Sequence, residues 1–118
     1  MMTETDTRQA LTALLSRTDS ALMREVITDL LDSDTPEQYA RDTLQSGCSS
    51  GNVSALIYYT DTRAFYIKHL EEIDELIAQI ETDTGAPLTP SSPRYNWCAW
   101  LAYEETARAV LGEIGIEV

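Results

Sequence analysis

Lysine is nearly missing from this chain. A single residue, Lys68, stands beside seven arginines and against 20 Asp and Glu, so the 118 residues carry a formal charge of −12. That shortage excludes the basic patch needed for direct binding to nucleic acid or to an anionic membrane surface, because phosphates would be repelled. Cysteine is equally scarce. Cys48 and Cys98 cannot form a disulfide framework, and they read as small apolar residues of a protein kept in a reducing compartment. There is one histidine, His69, which rules out a di-iron bundle built on two Glu-x-x-His repeats. Cys48, His69 and Cys98 show no CxxC or HxxxH spacing, so neither a metal nor a cofactor is expected. No apolar run approaches the ~18–20 residues of a membrane span. The opening MMTETDTRQA has neither a basic n-region nor an apolar h-region, and a cytoplasmic protein is expected.

Catalytic signatures are missing too. A Cys48–His69–Asp61 set matches no known nucleophile pattern. The stretch SGCSSGN lacks both the Walker lysine and the Rossmann context of a phosphate loop. The reading is therefore against an enzyme, without excluding one.

What remains is helical. The length suits one domain, and surface scaling gives about 6,400 Å² exposed when folded against about 19,000 Å² unfolded, enough for a core without staples. Ala10, Leu11, Leu14 and Leu15 recur at helical spacing over 7–17, after a largely polar first six residues expected to fray. Thr18-Asp19-Ser20 offers caps for a second helix carrying Leu22, Val26, Ile27 and Leu30. Thr35-Pro36-Glu37-Gln38 reads as a capping box with proline in the first helical position, and that helix stops at Gly47. The run VSALIYY over 53–59 suits a buried helix or a strand by periodicity, and helix is favoured because a lone strand has no partner. Phe65 to Ile80 marks one long helix ending near Gly85, with Leu70, Ile73, Ile77 and Ile80 on its apolar stripe. A Pro/Ser loop follows over 86–93. A last helix buries Trp97, Trp100, Leu101, Val110 and Leu111 and ends near Gly115. The expected architecture is all-α, a compact single-domain bundle of five to six helices spanning 1–118.

Two constellations are candidates for function. Glu71, Glu72, Asp74 and Glu75 lie opposite the Leu70/Ile73/Ile77 stripe. Such a run is ordinarily a solvated face. Read functionally, it presents carboxylates to Arg and Lys of a partner, in the manner of a nucleic-acid mimic. The second group is Tyr59, Asp61, His69, Glu104 and Glu105, which would line a pocket if helix packing brought them together. Aromatic-rich stretches of this kind more often build core, and buried carboxylates most often serve structure. The acidity has a third reading: low Lys with 14 Thr and 9 Asp fits a halophile or a GC-rich genome, in which case the domain is one half of a homodimer.

Two motifs, LQSGCSSG at 44–51 running into LIYYTDT at 56–62, and NWCAWLAYEETA at 96–107, resemble an uncharacterised family of short proteins encoded by phages, prophages and plasmids. Its pattern is LQxGCxSG…LIYYxDT…NWxAWxxxEExA. The matching positions here are Gly47, Cys48, Gly51, Tyr58, Tyr59, Asp61, Trp97, Trp100, Glu104 and Glu105. The resemblance spans about residues 44–115 and implies no activity. Its setting implies an accessory protein of a mobile element, many of which inhibit a host protein by binding it. The leading expectation is accordingly a non-enzymatic acidic helical protein that captures a basic protein. The alternative is a small-ligand or minor enzymatic domain at the Tyr59/Asp61/His69/Glu104/Glu105 pocket.

Overall fold

The computed structural model describes residues 3–46, 62–85 and 94–117. They form six helices and, among the described residues, no strand: α1 (Glu4–Arg17), α2 (Ala21–Leu31), α3 (Pro36–Ser46), α4 (Thr62–Lys68), α5 (Leu70–Thr84) and α6 (Arg94–Glu113). The chain is an all-α bundle. The expected 53–59 helix, the expected stop at Gly47 and the 86–93 loop lie outside the described residues, as do the side chains of Trp97 and Trp100.

Helix ends explain much of the arrangement. α1 begins at Glu4, so the fraying expected through residue 6 gives way to helix. Thr3 Oγ1 accepts from the Asp6 amide at 3.0 Å and Asp6 Oδ2 accepts from the Thr3 amide at 3.1 Å, a closed capping box. Ser20 caps α2 through the Met23 amide at 3.1 Å. α3 departs from expectation. Its free amides at Glu37 and Gln38 donate to the Glu4 carboxylate at 3.0 and 3.2 Å, while the Gln38 side-chain amide donates to Asp42. A carboxylate from α1 thus does what the local box was expected to do, and it pins α1 to α3.

The opposite helix ends are held by cations. Arg24 donates to the Leu15 and Thr18 carbonyls, at 2.7 and 3.2 Å, at the C-terminal end of α1. Arg8 donates to the Leu31 carbonyl at 2.9 Å and to the Ser33 carbonyl at the end of α2. These arginines neutralise helix dipoles, not carboxylates.

The core is the expected one in α1 and α2: Leu11, Leu14, Leu22, Val26, Ile27 and Leu30 are all buried. α6 packs against α2, α4 and α5. Its inner face carries Ala99, Ala102 and Ala107 among Tyr103, Val110 and Leu111, all buried, and the small side chains let neighbouring helices approach closely. Gly115, at φ 86°, takes the left-handed conformation that ends α6, and the Ile116 amide closes a bond back to the Leu111 carbonyl at 2.8 Å.

Among the described residues one buried group is left over: Thr7 is fully buried, and its hydroxyl has no hydrogen-bond partner there. Thr7→Val should therefore raise the unfolding free energy by about 1 kcal/mol, since it removes an unpaired hydroxyl at almost constant shape. Urea denaturation checks this, and a lower midpoint would mean that the hydroxyl contributes.

Candidate functional site

The long helix expected from Phe65 to Ile80 is interrupted. His69 leaves helical geometry (φ −117°, ψ 28°), so α4 ends at Lys68 and α5 starts at Leu70. The ladder survives on both sides: the His69 amide donates to the Phe65 carbonyl at 3.2 Å, and the Ile73 amide donates to the His69 carbonyl at 2.9 Å. A side-chain anchor accompanies the break. The buried His69 ring meets the Glu25 carboxylate of α2 through Nε2 and stacks edge-on against Phe65 at 5.1 Å between centroids. Lys68 Nζ donates to the other oxygen of Glu25 at 2.9 Å. Burial pushes the Glu25 carboxyl up, but the hydrogen bonds and charges of Lys68 and His69 outweigh it. The net result is a carboxyl held below its ordinary 4.5.

The break also changes what faces water. Leu70, expected on the buried stripe with Ile73 and Ile77, is 42% exposed, and Ile67 across the break is 58% exposed, whereas Ile73 and Ile77 are buried. An open cleft of about 390 Å³ lies at this corner. Ala21 of α2 forms one wall, and the run from Ile67 to Glu72 forms the rest.

The four carboxylates expected to act together on α5 divide into two kinds. Glu72 is half-buried and caps α2 from outside, accepting from the Ser20 hydroxyl and from the Leu22 amide at 3.2 Å. Asp74 accepts from the Tyr66 hydroxyl at 2.8 Å. Glu71 and Glu75 are exposed, one helical turn apart, and no hydrogen bond or ion pair among the described residues involves their carboxylates.

The second constellation falls on different surfaces. Tyr59 and Asp61 lie outside the described residues. His69 lines the corner cleft, and Glu105 lines another, of about 220 Å³, between α2, α5 and α6 beside Met23, Leu76 and Ala109. Glu72 is the wall common to both. Glu104 lines neither and is paired with Arg108 one turn on, at 3.0 Å. Among the described residues no group of three or more His, Cys, Asp or Glu is placed to hold a metal ion, and no helix is long and apolar enough to cross a membrane.

Two carboxylates were missed in the sequence. Glu25 holds the corner together, and Asp29 accepts from the buried Tyr103 hydroxyl and from Tyr39 at 3.1 Å. Both sit four residues apart at the edge of the Leu22/Val26/Leu30 stripe. An acid in that position faces other helices, and this spacing is the signal that would have found them.

A family model described as "Domain of unknown function (DUF7222)" matches residues 19–116. The match takes in α2 through α6 and both clefts, and it begins well before the motifs at 44–62. No curated protein and no solved structure matches the chain.

Proposed function

We propose, from the premise that the chain belongs to the DUF7222 family of unknown function, that it is a non-enzymatic binding protein whose acidic surface captures a basic protein. The observation that carries this is the pair Glu71 and Glu75. They are exposed and unengaged among the described residues, while nearby Lys68 is occupied by Glu25, and Arg8 and Arg24 by helix carbonyls. Glu71, in the first turn of α5, also suits the helix dipole, but Glu75 beyond that turn brings only like-charge repulsion, which costs a helix a few tenths of a kcal/mol. With a net charge of −12, the long-range field favours encounter with a cationic surface. The mobile-element setting that the motifs resemble points to a host or element-encoded protein of the cytoplasm as the partner, with inhibition by capture as the outcome.

The test is affinity capture from a cell lysate with the tagged chain, beside a Glu71→Gln/Glu75→Gln double variant. A basic protein should be retained and then released as salt rises. The double variant should bind it about threefold to tenfold more weakly at low ionic strength, as expected for losing two exposed charge pairs. Equal retention by both proteins, or none by either, would reject the proposal.

The small-ligand reading keeps one observation in its favour: both clefts share Glu72 as a wall. His69 and Glu105 nevertheless line separate depressions.

A further inference from the structure

We infer that the notch where α4 meets α5 is the docking point for a short segment of another protein, one that carries an apolar side chain beside one or two Lys or Arg residues. This rests on the acidic-surface reading above and gives it an address. Ile67 and Leu70 are the large apolar side chains that the described residues leave most exposed, at 58% and 42%. A single exposed leucine needs no explanation. Two of them, bracketing one helix break and lining one cleft of about 390 Å³, make a small apolar floor of the kind that accepts an anchoring side chain.

The rim decides the occupant. Glu71 and Glu72 line the same cleft, and Glu75 stands one turn beyond Glu71. The two basic groups of the wall, Lys68 and His69, are both turned to Glu25, so the rim offers net negative charge. A second copy of this chain would bring its own carboxylates against these and would add −12 to −12. An anion is likewise disfavoured, because the carboxylates of Glu71 and Glu72 stand in the cleft wall. A cationic, partly apolar segment meets both features: its aliphatic side chain covers Ile67 and Leu70, and its Lys or Arg meets Glu71 and Glu75. The notch lies at the break at His69, whose buried ring meets Glu25.

The experiment uses the full chain and three labelled synthetic peptides of equal length, alternating Leu/Lys, Ser/Lys and Leu/Glu, read by fluorescence anisotropy. Amide shifts in NMR spectra locate the contact. The Leu/Lys peptide should bind, with shifts concentrated at Ala21 and residues 67–72. It should bind about tenfold more weakly to an Ile67→Ser/Leu70→Ser variant, as loss of an apolar anchor predicts. The Ser/Lys peptide should bind about tenfold more weakly than Leu/Lys and ignore that variant, and Leu/Glu should not bind. Equal binding of Leu/Lys and Ser/Lys, unaffected by the variant, would overturn the notch while leaving the acidic-surface reading standing. No binding of Leu/Lys would also overturn it, and lysate capture would then judge the broader reading separately. Sedimentation that showed a dimer dissociated by Ile67→Ser/Leu70→Ser would assign the notch to a second copy and overturn the inference.

Discussion

Tyr103→Ala should lower the unfolding free energy by about 3–5 kcal/mol, the range for deleting a fully buried ring. Domains of this size have only about 5–15 kcal/mol in hand, so the variant should stand at the margin of folding. Tyr103 is fully buried in α6, and its hydroxyl reaches Asp29 of α2, which also accepts from Tyr39 of α3. Tyr103 therefore ties α6 to α2 by packing and by a charge-assisted bond, and through Asp29 it shares that tie with α3. Tyr103→Phe separates the two contributions. It keeps the ring and loses the bond, and it should cost about 1.5–3 kcal/mol, the value for a hydrogen bond to a charged group. Urea denaturation with an unchanged slope reads both numbers. A Tyr103→Ala protein within about 1 kcal/mol of the parent would mean that α6 does not organise the core as described.

The second large effect belongs to Glu25. Glu25→Ala strips the buried His69 ring of its carboxylate partner and frees Lys68, at a cost of about 1–3 kcal/mol for an unsatisfied buried group. Glu25→Gln should cost less, because an amide can still bond to the ring. The pH dependence follows from the lowered carboxyl. The folded protein binds the Glu25 proton more weakly than the unfolded chain does, whose carboxyl titrates near 4.5. The stability contributed by Glu25 is thus fully present above that pH, and it is lost as pH falls through the lower folded value. In urea denaturation across acid pH, the parent should lose stability more steeply below 4.5 than Glu25→Gln. Parallel curves would show that Glu25 is not held by Lys68 and His69.

How far the sequence reveals this architecture depends on the kind of force involved. α1, α2 and the end of α5 follow from apolar spacing and caps, since Leu11, Val26 and Ile73 can be buried only on one stripe and Gly85 takes the left-handed position that ends a helix. The N-terminus of α3 was placed correctly, but its cap was not. Glu4 lies 33 residues away from the amide it accepts, and no local motif can announce a tertiary contact. The break at His69 is hidden for the same reason. Nothing in YIKHLEE lowers helix propensity enough to predict it, and it coincides with a carboxylate 44 residues upstream. Of the acidic run on α5, composition conveys the charge but not the division of labour. Glu72 and Asp74 have structural partners, and Glu71 and Glu75 are left facing water. The exposed pair Ile67 and Leu70 was legible only as part of an apolar stripe, because a continuous helix would have buried Leu70 with Ile73.

The most direct test of capture by an acidic surface is the dissociation constant of the retained partner, measured against salt concentration for the parent and for Glu71→Gln/Glu75→Gln. Screening acts on exposed charges, so the parent should weaken steeply as salt rises, and the double variant should start weaker and change less. The two lines should converge at high salt. Lines that are superimposed at every salt concentration would contradict the account, because Glu71 and Glu75 would then take no part in binding.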